Sequence, residues 1–159
     1  MKYVLVTGAY GGIGRAVVKE LRNAGCFVFA LDLKVEEKEE NVMPIEVDLT
    51  DEVSVQKAFE IVKSVTDELY GVLHFAGIYA LDSLVEISDE KFKKIFEVNV
   101  FGVYRINKAF LPLLKKGSKI LITTSELAPL DPFQRIQHNT RGARGRGRNH
   151  VQPRKRDGV

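Results

Sequence analysis

A glycine-rich turn between an apolar strand and an amphipathic helix constrains this sequence more than any other feature. Residues 4–6 are apolar, and residues 7–15 read Thr-Gly-Ala-Tyr-Gly-Gly-Ile-Gly-Arg before apolar residues recur at helical spacing. Such a strand–turn–helix can hold a pyrophosphate, because glycines let the backbone approach the phosphates and the helix N-terminus offers N–H groups and a positive dipole. A glycine pattern alone is weak evidence, so the rest of the chain decides its meaning.

The composition joins one soluble globular domain to a basic C-terminal stretch. Apolar residues make up 45% and charged residues 28% of the 159 residues, as expected for a chain with a buried core. Residues 1–133 contain 16 Lys and Arg against 20 Asp and Glu, whereas residues 134–159 contain eight against one. The net charge of +3 therefore belongs to the tail and says nothing about the preceding domain.

Cysteine usage and hydropathy bear on the compartment. Cys26 is the single cysteine, which excludes an internal disulfide framework and favours a reducing compartment. We expect it to be a small buried side chain rather than a reactive thiol. No apolar run is long enough to span a membrane and the N-terminus enters a strand at once, so we expect no signal peptide, no anchor and a cytoplasmic protein.

Strands and helices alternate along the chain with short connections. The patterns predict strands over 3–6, 27–31, 43–47, 71–77 and 119–124, and helices over 12–24, about 51–66 and 88–112. Residues 33–41 are too few and too acidic for more than an open loop or a single turn. This alternation predicts an α/β protein with a three-layer, Rossmann-type doubly wound parallel sheet.

Helical spacing of apolar residues predicts which helix faces are buried. Thr50 is the predicted N-cap of the second helix, whose apolar side is Val53, Ala58, Ile61, Val62 and Val65. The stripe of the long helix comprises Phe92, Phe96, Val103, Ile106 and Phe110. Asn99 shares this stripe, and a buried asparagine must be hydrogen-bonded. Its position alone leaves a structural and a functional role equally open.

Glycine or polar residues follow each predicted strand: Gly8, Asp32, Asp48, Gly77 and Ser125. Ligands of parallel sheets bind beyond the carboxyl ends of the strands, so we expect these residues to share one site. Asp32 can accept hydrogen bonds from both adenosine ribose hydroxyls and would repel a 2′-phosphate, which we favour over a solvated loop aspartate. For Asp48, a capping role and a contact with the adenine amino group remain equally open.

These residues resemble the short-chain dehydrogenase/reductase family over about residues 2–133. Asp32 matches the acidic position that the family associates with NAD rather than NADP, and Asp48 and Leu49 match its adenine-contacting pair. Residues 74–77 are similar to its NNAG element, of which Ala76 and Gly77 remain while both asparagines are missing. The positions that match its TGxxxGIG element are Thr7, Gly8, Gly12, Ile13 and Gly14.

The resemblance also implies catalytic roles. Asn99 matches the family's helix asparagine, which supports a proton-relay water, and Ser125 matches the serine that steadies the substrate oxygen. The family adds a tyrosine after that serine as acid/base and a lysine in Tyr-x-x-x-Lys spacing, because an unperturbed phenol with a pKa of about 10 is a poor base at neutral pH. Here every tyrosine precedes Ser125, so this pair is missing. Tyr104 and Lys108 have the spacing but share the helix of Asn99, and we interpret them as helix surface.

Residues 134–159 interrupt the resemblance where the family's catalytic helix would begin. They lack helical or strand periodicity and contain an Arg/Gly-rich run at 141–148. We interpret residues 1–133 as an incomplete NAD(P)-binding domain, truncated after the fifth strand, and 134–159 as a disordered tail of out-of-frame sequence. The family's oligomer interface would then be missing, and apolar surface on the fifth strand and long helix would stay exposed.

Three functions follow from these observations. The family implies an NAD-dependent oxidoreductase that moves hydride between nicotinamide and an alcohol or carbonyl substrate, inactive here without the Tyr/Lys pair. The residues present indicate a non-catalytic dinucleotide-binding domain. The basic tail could bind nucleic acid, but it lacks interleaved aromatic residues, and we do not expect nucleic acid as a partner. His74, His138 and His150 have no ligand spacing, so we expect no metal.

Overall fold

The structure, a computed structural model, describes residues 1–82 and 85–124. These residues form one five-stranded parallel sheet with helices on both faces, which confirms the predicted Rossmann-type class. The elements are β1 (Lys2–Thr7), α1 (Gly12–Asn23), β2 (Cys26–Asp32), β3 (Val42–Glu46), α2 (Glu52–Lys63), β4 (Leu69–His74), α3 (Asp89–Phe96), a π-helical segment (Glu97–Phe101), α4 (Gly102–Phe110), a 3-10 turn (Leu111–Leu113) and β5 (Leu114–Ile122). The strand order is β3-β2-β1-β4-β5, so the winding reverses between β1 and β4.

Strands β1 and β2 are buried on both faces, as their unbroken apolar runs predict. β1 pairs in parallel with β2 and β4, with Val6 opposite Ala30 and Leu73. Leu5 and Phe29 belong to the core beneath α2 and α4, whereas Val6 and Ala30 belong to the core beneath α1. The crevice at the reversal therefore lies above the best-packed part of the sheet.

Helix α1 has the predicted bounds to within one residue. Val18 and Leu21 pack on the sheet, and the helix ends at Ala24 followed by Gly25, whose φ of +76° suits glycine. Cys26 follows directly and is buried, which confirms it as a packed side chain.

The start of α2 differs from the prediction by one residue. Asp51, not Thr50, is the N-cap, because its carboxylate accepts a hydrogen bond from the Val53 N–H at 2.9 Å. The Thr50 hydroxyl instead donates to Asp48 Oδ1 at 2.7 Å.

The buried face of α2 is rotated from the predicted one. Val55, Ala58 and Val62 are buried, whereas Val53, Ile61 and Val65 are exposed to 61%, 44% and 38%. The rotation brings Phe59 edge-on against Phe110 of α4 at 5.6 Å between ring centroids. The observed face therefore includes an aromatic contact with α4, which a count of apolar residues along α2 alone does not consider.

The predicted single stripe along the long helix is wrong at its N-terminal half. Ile106 and Phe110 are fully buried, but Phe92 and Phe96 are each 44% exposed. The π-helical segment lies between them and inserts one extra residue per turn, which rotates the face of α3 relative to that of α4.

Strand β5 begins at Leu114, five residues before the predicted start at Lys119. Residues 115–117, which follow the predicted long helix, lie in this strand. The ladder to β4 is irregular between Leu69 and Gly71, and the Ser118 hydroxyl donates to the Leu69 carbonyl at 2.7 Å across it. Strand β4 also ends earlier than predicted, at His74. Residues 75–77 therefore belong to the connection that follows it.

Apolar side chains on β5 and on the long helix are exposed, as expected from the sequence. Ile120, Leu121 and Ile122 are 46–51% exposed, and Val100 and Phe101 are similarly exposed on the long helix. Among residues 1–82 and 85–124, no helix is long and apolar enough to cross a membrane.

Candidate functional site

A cleft of about 530 Å³ lies at the carboxyl ends of β1, β2, β3 and β4 and the connections that follow them. This is where the winding reverses, the position at which doubly wound sheets bind their ligands. Six of the predicted cofactor-binding residues line it: Gly8, Asp32, Asp48, Leu49, Ala76 and Gly77.

The turn after β1 is packed directly against the turn after β4. Gly8 has a φ of +67°, and a Cβ there would lie 2.6 Å from the Ala76 Cα. The Thr7 carbonyl accepts a hydrogen bond from the Phe75 N–H at 3.0 Å, and Thr7 itself is buried and does not line the cleft. A side chain at Gly14 would overlap the Gly8 carbonyl oxygen. Thr7 and Gly14 therefore shape the turn from beneath.

The first turn of α1 borders the cleft, which Gly11 and Arg15 line, and it carries no competing anion; the predicted Gly12 and Ile13 do not line the cleft. The N-cap Gly11 has no side-chain cap, and no acidic residue lies in the first turn. The first hydrogen bond of the helix is the one that the Arg15 N–H donates to the Gly11 carbonyl. A Cβ at Gly12 would meet nothing within 4 Å, and Ile13 is 66% exposed. Open space beside free N–H groups and the positive end of the dipole fits a phosphate group.

Asp32 lies at the end of β2 with both carboxylate oxygens already hydrogen-bonded. Oδ2 accepts from the Tyr10 N–H at 2.9 Å and Oδ1 from the Leu33 N–H at 2.8 Å. These contacts fix the carboxylate against the glycine turn while it lines the cleft. Each oxygen has a second lone pair, so the arrangement can still accept ribose hydroxyls.

Asp48 both caps a turn and lines the cleft. Its Oδ1 accepts from the Thr50 N–H at 2.8 Å as well as from the Thr50 hydroxyl, and these bonds hold the pKa of the carboxyl below its usual value. The local capping role is therefore present, and the contact with adenine stays a prediction. The buried neighbour Leu49 is held from α4, because the Arg105 guanidinium donates to the Leu49 carbonyl at 3.3 Å.

Asn99 connects the long helix to the turn after β4. Its Oδ1 accepts from the Ile78 N–H and its Nδ2 donates to the Ile78 carbonyl, both at 2.8 Å. Asn99 lies in the π-helical segment and is exposed, so the expected burial is wrong although the expected hydrogen bonding of its amide is present. Single π-helical turns inside α-helices are frequent at functional sites.

His74 occupies the position of the first asparagine of the NNAG-like element and turns away from the cleft. It is 1% exposed, its Nε2 lies 3.0 Å from the Asn107 Oδ1, and burial lowers the pKa of the imidazole. We interpret it as a neutral core residue. Across residues 1–82 and 85–124 no three His, Cys, Asp or Glu side chains cluster as metal ligands would.

Two further predictions concern the catalytic group. Ser125 lies outside the described residues, as does the tail at 134–159. Thr123 is placed, and its hydroxyl donates to the His74 carbonyl at 3.0 Å, so the carboxyl end of β5 reaches the same sheet edge. Tyr104 is 56% exposed and neither it nor Lys108 lines the cleft, which confirms their interpretation as helix surface.

Sequence reasoning missed twelve of the eighteen residues that line the cleft. Tyr10, Gly11 and Arg15 lie in or next to the glycine-rich turn, which is the signal that would have indicated them, but nothing in the sequence selects the loop after β2 or the side of the π-helical segment that meets the cleft. The missed lining residues are Tyr10, Gly11, Arg15, Leu31, Leu33, Lys34, Val35, Glu36, Val47, Phe75, Ile78 and Val98.

The sheet order, the glycine turn and the cleft at the switch point define a Rossmann-type α/β protein. The family model described as short chain dehydrogenase matches residues 2–136. The chain therefore belongs to the short-chain dehydrogenase/reductase family, an oxidoreductase family.

Relatives and solved structures agree with this assignment. The chain is 28% identical over 141 residues to mitochondrial D-beta-hydroxybutyrate dehydrogenase of Bos taurus, covering 79% of this chain and 41% of that protein. It is 30% identical to the NADPH-dependent 1-acyldihydroxyacetone phosphate reductase of Schizosaccharomyces pombe, covering 83% and 47%.

Among solved structures, a short chain dehydrogenase family protein of Francisella tularensis matches with a TM-score of 0.76 and 30% identity, covering 90% of this chain and 59% of that one. A 3-ketoacyl-(acyl-carrier-protein) reductase of Brucella melitensis, solved with NADH, matches with a TM-score of 0.76 and 26% identity, covering 89% and 65%. The chain thus spans about half the length of the curated relatives it matches.

Proposed function

We propose that this chain binds NAD(H) in the cleft above the β1–β4 reversal. The observation that carries the proposal is the uncapped first turn of α1, where Gly12 leaves open space beside free backbone N–H groups. A pyrophosphate placed there would be neutralised by the helix dipole and hydrogen-bonded by the backbone. The adenosine would lie toward Asp32 and Asp48, which line the same cleft.

We propose NAD rather than NADP because of the charge at the end of β2. The Asp32 carboxylate is fixed by two backbone N–H groups at the cleft wall, where it favours ribose hydroxyls and repels a 2′-phosphate. The family relatives include both an NADH complex and an NADPH-dependent enzyme, so the family alone does not select the cofactor.

We propose that hydride transfer does not occur in the chain as written. The family activity is exchange of hydride between a nicotinamide and an alcohol or carbonyl, and the cofactor supplies the hydride. Asn99 holds the Ile78 backbone beside the cleft, and Ser125 would steady the substrate oxygen. The proton needs an acid/base, and after Ser125 this sequence offers no tyrosine and only Lys155. Binding without turnover is the expected result.

One titration tests both halves of the proposal. NADH fluorescence is measured on the full chain, first with NADH alone and then with a panel of aldehydes and ketones. We expect a saturable fluorescence change without consumption of NADH. No saturable change would refute the binding site, whereas NADH oxidation at rates typical of the family would refute the claim about the missing pair.

We further propose that residues 134–159 arise from out-of-frame sequence. The family match ends at residue 136, and the basic, aperiodic composition begins at about the same place. Resequencing the coding region is the test. A read without a nearby shift that restores Tyr-x-x-x-Lys would refute this origin.

A further inference from the structure

An ion pair at the mouth of the cleft links the first turn of α1 to the loop after β2. The Arg15 Nη1 donates to Glu36 Oε2 at 2.7 Å, and Nη2 lies 2.5 Å from Glu36 Oε1, so the guanidinium and the carboxylate meet in a two-pronged arrangement. Both residues line the cleft. Bidentate pairs of this kind fix the orientation of both planes.

The same arginine is tied to the Asp32 end of the cleft. Its Nε donates to the Tyr10 carbonyl at 2.8 Å, while the N–H of Tyr10 donates to the Asp32 carboxylate. The guanidinium carbon also lies 5.6 Å from the centre of the Tyr10 ring. Arg15 is therefore the cation next to the carboxylate that would accept the adenosine ribose.

The charges that line the cleft show why the pairing of Arg15 with Glu36 matters for anion binding. Among the described residues the lining carries three acids, Asp32, Glu36 and Asp48, against two bases, Arg15 and Lys34. Guanidinium Nη donors are the groups with which arginine recognises phosphates in proteins. In Arg15 these donors are already paired with the Glu36 carboxylate. Arg15 and Glu36 are about half exposed, so solvent and a competing anion can reach the pair.

We propose that Glu36 restrains Arg15 and thereby makes the pair a second determinant, besides Asp32, that excludes adenine dinucleotides carrying a 2′-phosphate. Removing the Glu36 carboxylate frees the Nη donors beside the ribose site and makes the lining one charge less negative. The cleft then accepts a 2′-phosphate through Arg15. This inference rests on the proposed dinucleotide site and names which nucleotides that site rejects.

The test uses adenosine-end probes, so that it does not depend on the nicotinamide side of the site. Binding of 5′-AMP and 2′,5′-ADP to the full chain is measured by calorimetry for the native chain, Glu36→Gln and Glu36→Ala. We expect the affinity for 2′,5′-ADP to rise about tenfold in both variants, as for one gained charge-assisted hydrogen-bonding group, and to rise clearly more than the affinity for 5′-AMP, which lacks the 2′-phosphate. The gain should shrink as salt is raised.

Three further variants assign the effect. Arg15→Gln combined with Glu36→Gln should abolish the gain, whereas Lys34→Gln combined with Glu36→Gln should keep it. Glu39→Gln is the matched control, since Glu39 lies on the same loop and pairs with Arg22, and neither residue lines the cleft. It should leave both affinities unchanged.

Each remaining outcome decides against a stated claim. Unchanged 2′,5′-ADP affinity in Glu36→Gln and Glu36→Ala, with 5′-AMP still bound, overturns the role of Glu36. A gain that survives Arg15→Gln, or that also arises in Glu39→Gln, overturns the role of Arg15 as the specific cation. Failure of the native chain to bind 5′-AMP overturns the proposed site itself, and this inference with it.

Discussion

Replacing Gly14 with alanine should destabilise the fold through a contact that is visible in the backbone. Gly14 is buried in the first turn of α1, and a Cβ built there overlaps the Gly8 carbonyl oxygen and lies 2.9 Å from the Gly8 carbonyl carbon. Carbon atoms pack favourably at about 3.5–4.0 Å, so the helix and the turn must separate. Neither partner is a flexible side chain, so the separation moves backbone.

The magnitude follows from two opposing effects. Alanine favours a helix over glycine by about 1 kcal/mol, whereas forcing an extra methyl into a packed site costs about 1–3 kcal/mol and more where backbone must shift. We expect the free energy of unfolding to fall by about 2 kcal/mol, which for a chain of this size lowers the thermal midpoint by roughly 4–8 °C.

Gly12→Ala is the matched control in the same turn of the same helix. A Cβ there meets nothing within 4 Å, and Gly12 is not among the residues with positive φ. Its unfolding free energy should change by less than about 1 kcal/mol, in the stabilising direction. Because the methyl would stand where we place the pyrophosphate, NADH affinity should fall about tenfold, a change of roughly 1.4 kcal/mol.

The assay is urea unfolding followed by circular dichroism, paired with NADH titration of the same preparations. Native-like stability of Gly14→Ala would refute the steric reasoning. Native-like NADH binding by Gly12→Ala would refute the placement of the pyrophosphate, even if the chain binds NADH elsewhere. The two results are independent, since one is read from stability and the other from affinity.

Three other changes test the core and the turn after β4. Burial lowers the pKa of His74, so below about pH 6.5 the unfolded chain binds a proton that the folded chain resists; stability should decline as pH falls there, and a His74→Gln variant with the same decline would contradict this. Asn99→Ala removes both hydrogen bonds to Ile78 and should cost about 1 kcal/mol and weaken NADH binding, whereas Asn99→Asp keeps the acceptor and should lie between; equal NADH affinity in all three would contradict the role. Phe110→Leu should cost about 1–2 kcal/mol in urea unfolding because Phe110 is fully buried, and an unchanged midpoint would contradict the packing.

The sheet and its functional edge could be predicted because they depend on local patterns. Unbroken apolar runs predict strands covered on both faces, and glycine or acidic residues directly after them mark the carboxyl edge. These signals place Gly8, Asp32, Asp48 and Gly77 correctly at one cleft. The strand order β3-β2-β1-β4-β5 is not contained in these local patterns, since the usual chirality of parallel connections fixes only their handedness.

The features that were missed depend on contacts between distant residues. The π-helical segment at 97–101 has no periodic signature in the sequence. Regular helical spacing from Phe92 onward therefore predicted one continuous apolar stripe through this segment. The observed face of α2 packs Phe59 against Phe110 of α4, a contact between helices that the pattern of either helix alone does not contain. Arg15 and Glu36 are 21 residues apart and pair only because the loop after β2 folds back over α1.

The structure also changes what the glycine motif proves. Gly8 is required by its positive φ and its contact with Ala76, and Gly14 by its contact with Gly8, so a fold of this type needs both glycines with or without a ligand. Gly12 has no such steric reason within the described residues. A motif match therefore indicates the turn, and only the unexplained glycine indicates what approaches it. Taken with the Asp32 carboxylate, which the Tyr10 N–H fixes against the same turn, Gly12 is the position at which the dinucleotide hypothesis makes its sharpest claim.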